Sequence, residues 1–248
     1  MDYEGQVLLE TDGGPDLGCA KPPGVTMRAI TSFASLEKLG RVRLSRHFFM
    51  RDFLYSEIAN FHGMPNLPDD PGLMIAAGTR LAVELLEPLV ETFGPLAVRG
   101  SYRSPSVNAF GNAKGFNCAL NATSYANHIW DKRDAKSRMG ACTCIVIPWF
   151  ADQYEQGRDW RDLAWWLHDH LPYSEIQFFP IRAAFNLTWR EQPAGKIWSY
   201  IAPKGILLAS GGEPDETLPT RSTRYADFPP FRAIAYPALP AKYEKSLA

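Results

Sequence analysis

The chain has 248 residues, 46 % of them hydrophobic and 21 % charged, with a net charge of −1. A chain of this length buries about 70–75 % of its unfolded surface without needing cross-links, and its balanced charge gives no basic footprint for nucleic acid or anionic lipid. Met1 to Gly18 is acidic and interrupted by Gly13-Gly14-Pro15, unlike a secretory leader, and no apolar run approaches the ~20 residues of a membrane span, so a cytoplasmic protein without membrane contact is expected.

In chain order, residues 1–43 are rich in Gly, Pro and isolated charges and are expected to form an arm. A domain is predicted over 44–210, opening with a short helix near His47 to Leu54. Leu81, Leu85 and Leu89 recur every four positions, followed by Val90 and Phe93, which predicts a helix across 72–93 with a kink at Pro88. Leu96 to Gly100 reads as a strand, and Pro105 should turn the chain out of it.

Residues 111–138 are polar, Gly/Asn-rich and then charged, as in a long surface excursion. Gly140 to Pro148 is a continuous apolar run suited to a buried strand. A helix over Asp159 to His170 and strands over Glu175 to Phe179 and Ala184 to Trp189 complete the expected domain. Residues 211–248 hold many prolines and should wrap its surface. The expected fold class is α+β, a single domain with an antiparallel sheet and packed helices.

Cys19, Cys118, Cys142 and Cys144 lack the spacing of a zinc knuckle or a redox pair and read as reduced thiols. His168 and His170 are two apart, so on a helix they point about 200° from each other and cannot chelate one ion; they read as residues complementing a helix C-terminus. The tryptophans read as core or cleft-wall packing.

One stretch resembles a known family. Gly100-Ser101-Tyr102-Arg103-Ser104-Pro105 before Asn108, then Ser124 and His128, then Gly140-Ala141-Cys142-Thr143-Cys144-Ile145-Val146-Ile147-Pro148, is similar in order to the motifs of the M15 zinc D-Ala-D-Ala carboxypeptidases and their Hedgehog-domain relatives. The resemblance spans roughly residues 45–200 and includes a longer insertion than usual between His128 and Gly140. It implies a Hedgehog/D,D-peptidase-like fold, with His128 at the first zinc-ligand position, Cys144 at the second, Asn186 at the third and Phe179 at the place of the catalytic glutamate.

A catalytic zinc needs three strong donors, an open position and a carboxylate to accept the proton of the bound water. Asn186 is a poor donor and Phe179 is no base, so the expectation is a degenerate site with no metal and no cofactor. Ligand positions of one metal converge, so Cys144, His128 and Asn186 are expected to form a thiol, imidazole and amide cluster for acyl transfer or amide hydrolysis. Arg103 would bind a substrate carboxylate, with Ser101, Tyr102 and Asn108 beside it; the substrate would be a small molecule or peptide.

Two other readings stay open: a pseudo-peptidase that binds in the same cleft without chemistry, and a zinc-dependent peptidoglycan D,D-peptidase whose metal site is rebuilt with Asp131 or Asp134. Cys144 also reads as a small core residue, His128 as a surface histidine, Asn186 as a strand-end residue and Arg103 as an ion-pair partner.

Overall fold

The structure is a computed structural model, and it describes residues 29–232. Among the described residues six strands form one sheet in the order β1-β2-β4-β3-β5-β6. They are β1 (Ala97–Gly100), β2 (Gly140–Val146), β3 (Glu175–Phe178), β4 (Phe185–Arg190), β5 (Lys196–Ser199) and β6 (Gly205–Leu208). Every neighbouring pair is antiparallel except β3 with β5. The α+β architecture with a mostly antiparallel sheet therefore agrees with the expectation.

Period-two alternation divides the two faces. Ala141 and Ile145 of β2, Phe185 and Leu187 of β4, Ile176 and Phe178 of β3, and Ile197 of β5 are fully buried in the main core. α3 (Pro71–Leu81) and α4 (Glu87–Phe93) belong to that core, as does α8 (Trp160–His170) through Leu163, Trp166 and Leu167. The opposite face carries Cys142, Cys144, Asn186, Thr188, Glu175, Gln177, Lys196 and Trp198.

The long helix predicted over 72–93 is two α-helices joined by a π-turn at Ala82–Leu86. Pro88 has no N–H, and in a regular helix its ring would meet the carbonyl of Glu84, so the wider turn just before it relieves both problems. α8 starts where expected, with Asp159 accepting from Arg161 N.

Several helices were not expected. α5 (Pro105–Ala113) begins at the proline expected only to bend the chain: Ser104 caps it by accepting from Val107 N, and Pro105 occupies its first turn. α7 (Pro148–Glu155) likewise starts on a proline. The short helix near 47–54 is a 3₁₀ turn, Met50–Phe53, followed by α2 (Glu57–Phe61). The polar stretch that follows α5 contains one short helical turn, α6 (Asn121–Ser124).

The domain starts earlier than residue 44. Ile30 and Leu39 are buried in the core, and α1 (Phe33–Gly40) is held by a capping box between Ser32 and Ser35. The rest of the expected arm, with Cys19, lies outside the described residues. At the other end the described chain runs to residue 232. α9 (Leu218–Arg224) packs on α8 through Arg221–Asp169 and Arg224–Asp162 ion pairs, and Phe228 packs on Phe93, Trp149 and Phe150. Among the described residues no helix is long and apolar enough to cross a membrane.

Candidate functional site

Strand register builds one line of side chains across the second face of the sheet. Gly100 of β1 is opposite Cys144, Cys144 opposite Asn186, Asn186 opposite Gln177, and Gln177 opposite Trp198. Cys144, Asn186, Gln177 and Trp198 are each partly exposed. A parallel line, Cys142, Thr188, Glu175 and Lys196, runs beside it, and its Cys142 and Thr188 are buried. A bulge between Val98 and Gly100 inserts Arg99, whose charge acts on Cys144.

The covered end is closed by residues 126–131. Cys142 N donates to Asn127 O (3.0 Å), the indole of fully buried Trp130 donates to Cys142 O (3.0 Å), and Trp130 packs so closely on α3 that a Cβ at Gly78 would lie 2.9 Å from its ring. Gly140 is required for the same crossing, because a Cβ there would lie 2.5 Å from Ala126 O.

These contacts hold His128 over Cys142. The imidazole Nδ1 lies 2.8 Å from Ser101 O, so Nδ1 carries the proton, and the Nε2 lone pair faces Cys142 Sγ at 3.8 Å. Burial, helped by the positive charge of Arg103, lowers the imidazole pKa to about 3. Burial also pushes the Cys142 thiol up to about 12 and the Cys144 thiol up to about 11, against the smaller opposing pull of Arg103 on both. Thiol and imidazole are thus both neutral at neutral pH, with no thiolate–imidazolium pair.

Of the expected cluster, Cys144 and Asn186 are opposite each other on β2 and β4, and among the described residues no hydrogen bond joins either of them to His128. His128 stands over Cys142, because it is tied to Ser101 at that end of β2, and Cys144 is two residues further along the strand, about 6.6 Å from Cys142. The Asn186 amide donates instead to Gln177 Oε1 (3.0 Å). Cys144 keeps company with Ala97, Val146 and Phe179, and Phe179 lies against Tyr200 with 5.7 Å between ring centroids. The thiol beside the imidazole is Cys142, two residues before Cys144 on the same strand face.

The expected substrate-binding residues also divide. Ser101 and Arg103 point toward the site, and the residue between them points away, as in any extended segment. Tyr102 is therefore fully buried in the core beside Trp130 and Asp131, out of reach of a ligand. Ser101 is 3 % exposed and serves the site indirectly, through its carbonyl to His128 and its hydroxyl to Cys142 O. Asn108, fully buried, accepts from Arg103 Nε (3.1 Å) and donates to Ala119 O and Asn121 Oδ1 (2.9 Å each), so it holds the arginine.

Arg103 is partly exposed and forms no ion pair among the described residues; its terminal guanidinium nitrogens have no hydrogen-bond partner among them. A cavity of about 250 Å³ opens past Cys144, where Ala97, Arg99 and Val146 meet Ala151, Glu155 and Arg182. A larger depression, about 640 Å³, lies between α1 and residues 59–67, away from these groups.

The residues present do not fit zinc. Among the described residues no three His, Cys, Asp or Glu side chains are grouped to hold a metal ion. Asp131 is buried on the Tyr102 side and accepts from Asp69 N, and Asp134 is engaged by Arg138 and Arg190, so neither rebuilds the ligand set. No family model, curated protein or solved structure matches the chain.

Proposed function

We propose that this chain is a peptidase-like binding protein: a degenerate relative of the M15 carboxypeptidases that holds a small carboxylate-bearing or peptide-like ligand on the second face of its sheet without cleaving it. The observation that carries the reading is Arg103. Its Nε is fixed by the buried Asn108 and its backbone N–H donates to His128 O, while the terminal nitrogens of the guanidinium stay available and its charge acts on His128, Cys142 and Cys144. A planar fork held in this way suits a carboxylate, and such charged hydrogen bonds contribute about 1.5–3 kcal/mol. The neutral thiols, the Asn186–Gln177 bond and Phe179 at the position expected for a base all speak against hydrolysis.

Titration calorimetry with Ala-Ala as the free acid and as its C-terminal amide tests this. The acid should bind at least tenfold tighter, Arg103→Gln should abolish that difference, and no free alanine should accumulate. Equal affinity for acid and amide would sink the reading.

A second reading, a thiol-dependent acyl transferase, is favoured by the 3.8 Å approach of His128 Nε2 to Cys142 Sγ. It moves the nucleophile from Cys144 to Cys142. It also requires a bound substrate to restore a thiolate that burial now disfavours.

A further inference from the structure

We propose that the depression between α1 and residues 59–67 is a second binding site, for a single-chain fatty acid, with the carboxylate on Arg51, the alkyl chain along Leu36, Leu54, Met64 and Leu67, and Phe33 at the rim. This site is separate from the one at Arg103, and neither depends on the other.

Size and lining suit an apolar body. The depression has a volume of about 640 Å³, inside the roughly 300–1,000 Å³ usual for small-molecule sites, which are mostly apolar with a few placed polar groups. Leu36, Leu54 and Leu67 back onto the main core and Ala59 is buried, so the floor is apolar. Phe33, 81 % exposed, stands at the edge as an apolar ring that the fold itself leaves uncovered. A chain of methylenes laid between floor and ring would remove both from water.

The walls are fixed without help from a ligand. On one side the capping box between Ser32 and Ser35 sets the start of α1. On the other, the Asn66 amide donates to Leu54 O and Tyr102 O (3.0 Å each) and accepts from Ser104 N (2.7 Å). One side chain thus closes residues 54–66 into a loop and pins it to the segment after β1. A cleft preformed in this way costs a ligand little ordering of the protein.

Charge selects the head group. Among the described residues, Glu37 and Arg51 are the charged side chains that line the depression. Glu37 is neutralised by Arg41, four residues on, at 2.5 Å. Arg51 forms no ion pair among the described residues. Its Nε donates to Gly40 O (3.2 Å), which holds the guanidinium against the C-terminal end of α1, and its terminal nitrogens have no hydrogen-bond partner among the described residues. One fixed, uncompensated fork beside an apolar floor complements a single carboxylate joined to an alkyl chain. A polyanion would meet one cation there, and a neutral sugar would leave the fork unpaired.

The test is calorimetry of the full chain with octanoate, hexanoate and 1-octanol. Each buried methylene is worth about fourfold in affinity, so octanoate should bind roughly tenfold tighter than hexanoate. Arg51→Gln should weaken octanoate at least tenfold and leave 1-octanol unchanged. Phe33→Ala, which alters an exposed ring, should weaken both, and thermal melts of each variant separate loss of the site from loss of the fold. Arg103→Gln should leave octanoate binding as it was. Equal affinity for acid and alcohol, or octanoate binding unchanged in Arg51→Gln, overturns the site. Loss of octanoate in Arg103→Gln but not in Arg51→Gln puts the acid in the other cleft, which supports the carboxylate reading there and overturns this one. Co-sedimentation with phosphatidylglycerol vesicles, with no octanoate bound, makes this face a lipid surface and overturns the cavity as well.

Discussion

Two residues decide how the site is built and what it can do. Gly140 lies where residues 126–127 cross β2, and a methyl group there would come within 2.5 Å of one carbonyl oxygen and 2.9 Å of another. Backbone atoms cannot move aside as a side-chain tip can, so Gly140→Ala should destabilise the fold by roughly 1–3 kcal/mol through overpacking and shift His128 away from Cys142. A denaturant melt unchanged in midpoint would refute this. Cys144 is the second residue. Burial raises its thiol to about 11, so little thiolate exists at neutral pH. Allowing for the higher nucleophilicity of a more basic thiolate, iodoacetamide should modify it roughly 10- to 100-fold more slowly than glutathione at pH 7.5, accelerating up to about pH 11. Modification of Cys144 or Cys142 at the glutathione rate, read by mass spectrometry, would return the thiol enzyme to first place. Which cysteine faces His128 was open in the sequence. The resemblance assigned the ligand position to Cys144, whereas the tie of His128 to Ser101 depends on an insertion whose path no local pattern encodes.

The elements that were legible are those whose burial is written into a long pattern. The apolar run at 140–148 and the four-residue spacing of Leu81, Leu85 and Leu89 each commit one face to a core, and both are found as expected. α5 and α7 were missed because each begins with a proline, at Pro105 and Pro148, and the same residue starts a helix or ends a strand. β5 and β6 are four residues each, too short for alternation to register. α9 is joined to α8 by charge rather than by an apolar stripe, which periodicity does not detect. Arg221 and Asp169, with side chains 9 % and 7 % exposed, form an ion pair under Trp165, and Tyr225 donates to the same carboxylate. Breaking one partner of a buried pair leaves the other charge uncompensated, at about 3–5 kcal/mol. Arg221→Met should therefore lower stability by an amount in that range, and Arg221→Met with Asp169→Asn by clearly less. If the double variant melts as low as the single one, the pair is not the clasp.

The pH response of the whole molecule joins these local environments. His128 titrates at about 3 in the folded state and near 6.5 when unfolded, so between those values the unfolded chain holds more protons and stability falls as pH falls. His168, also lowered by burial, acts in the same direction, whereas Asp131, raised by burial, acts in the opposite one as it takes up its proton in the folded state. The net curve should be flat above about pH 7 and decline below it, with His128 contributing at most about 1.4 kcal/mol per pH unit, less whatever solvation its partly exposed ring retains. His128→Asn isolates that contribution, because an amide can still donate to the Ser101 carbonyl but takes up no proton. Melting temperatures of the two proteins from pH 7.5 to 4.5 should run parallel above pH 7 and diverge below 6.5, the variant losing less, by about 2–4 °C for each kcal/mol removed. Curves that stay parallel down to pH 4.5 would mean that the imidazole is solvated enough to protonate in place. His128 would then form a cation facing Cys142, and the neutral pair that speaks against hydrolysis would have to be abandoned.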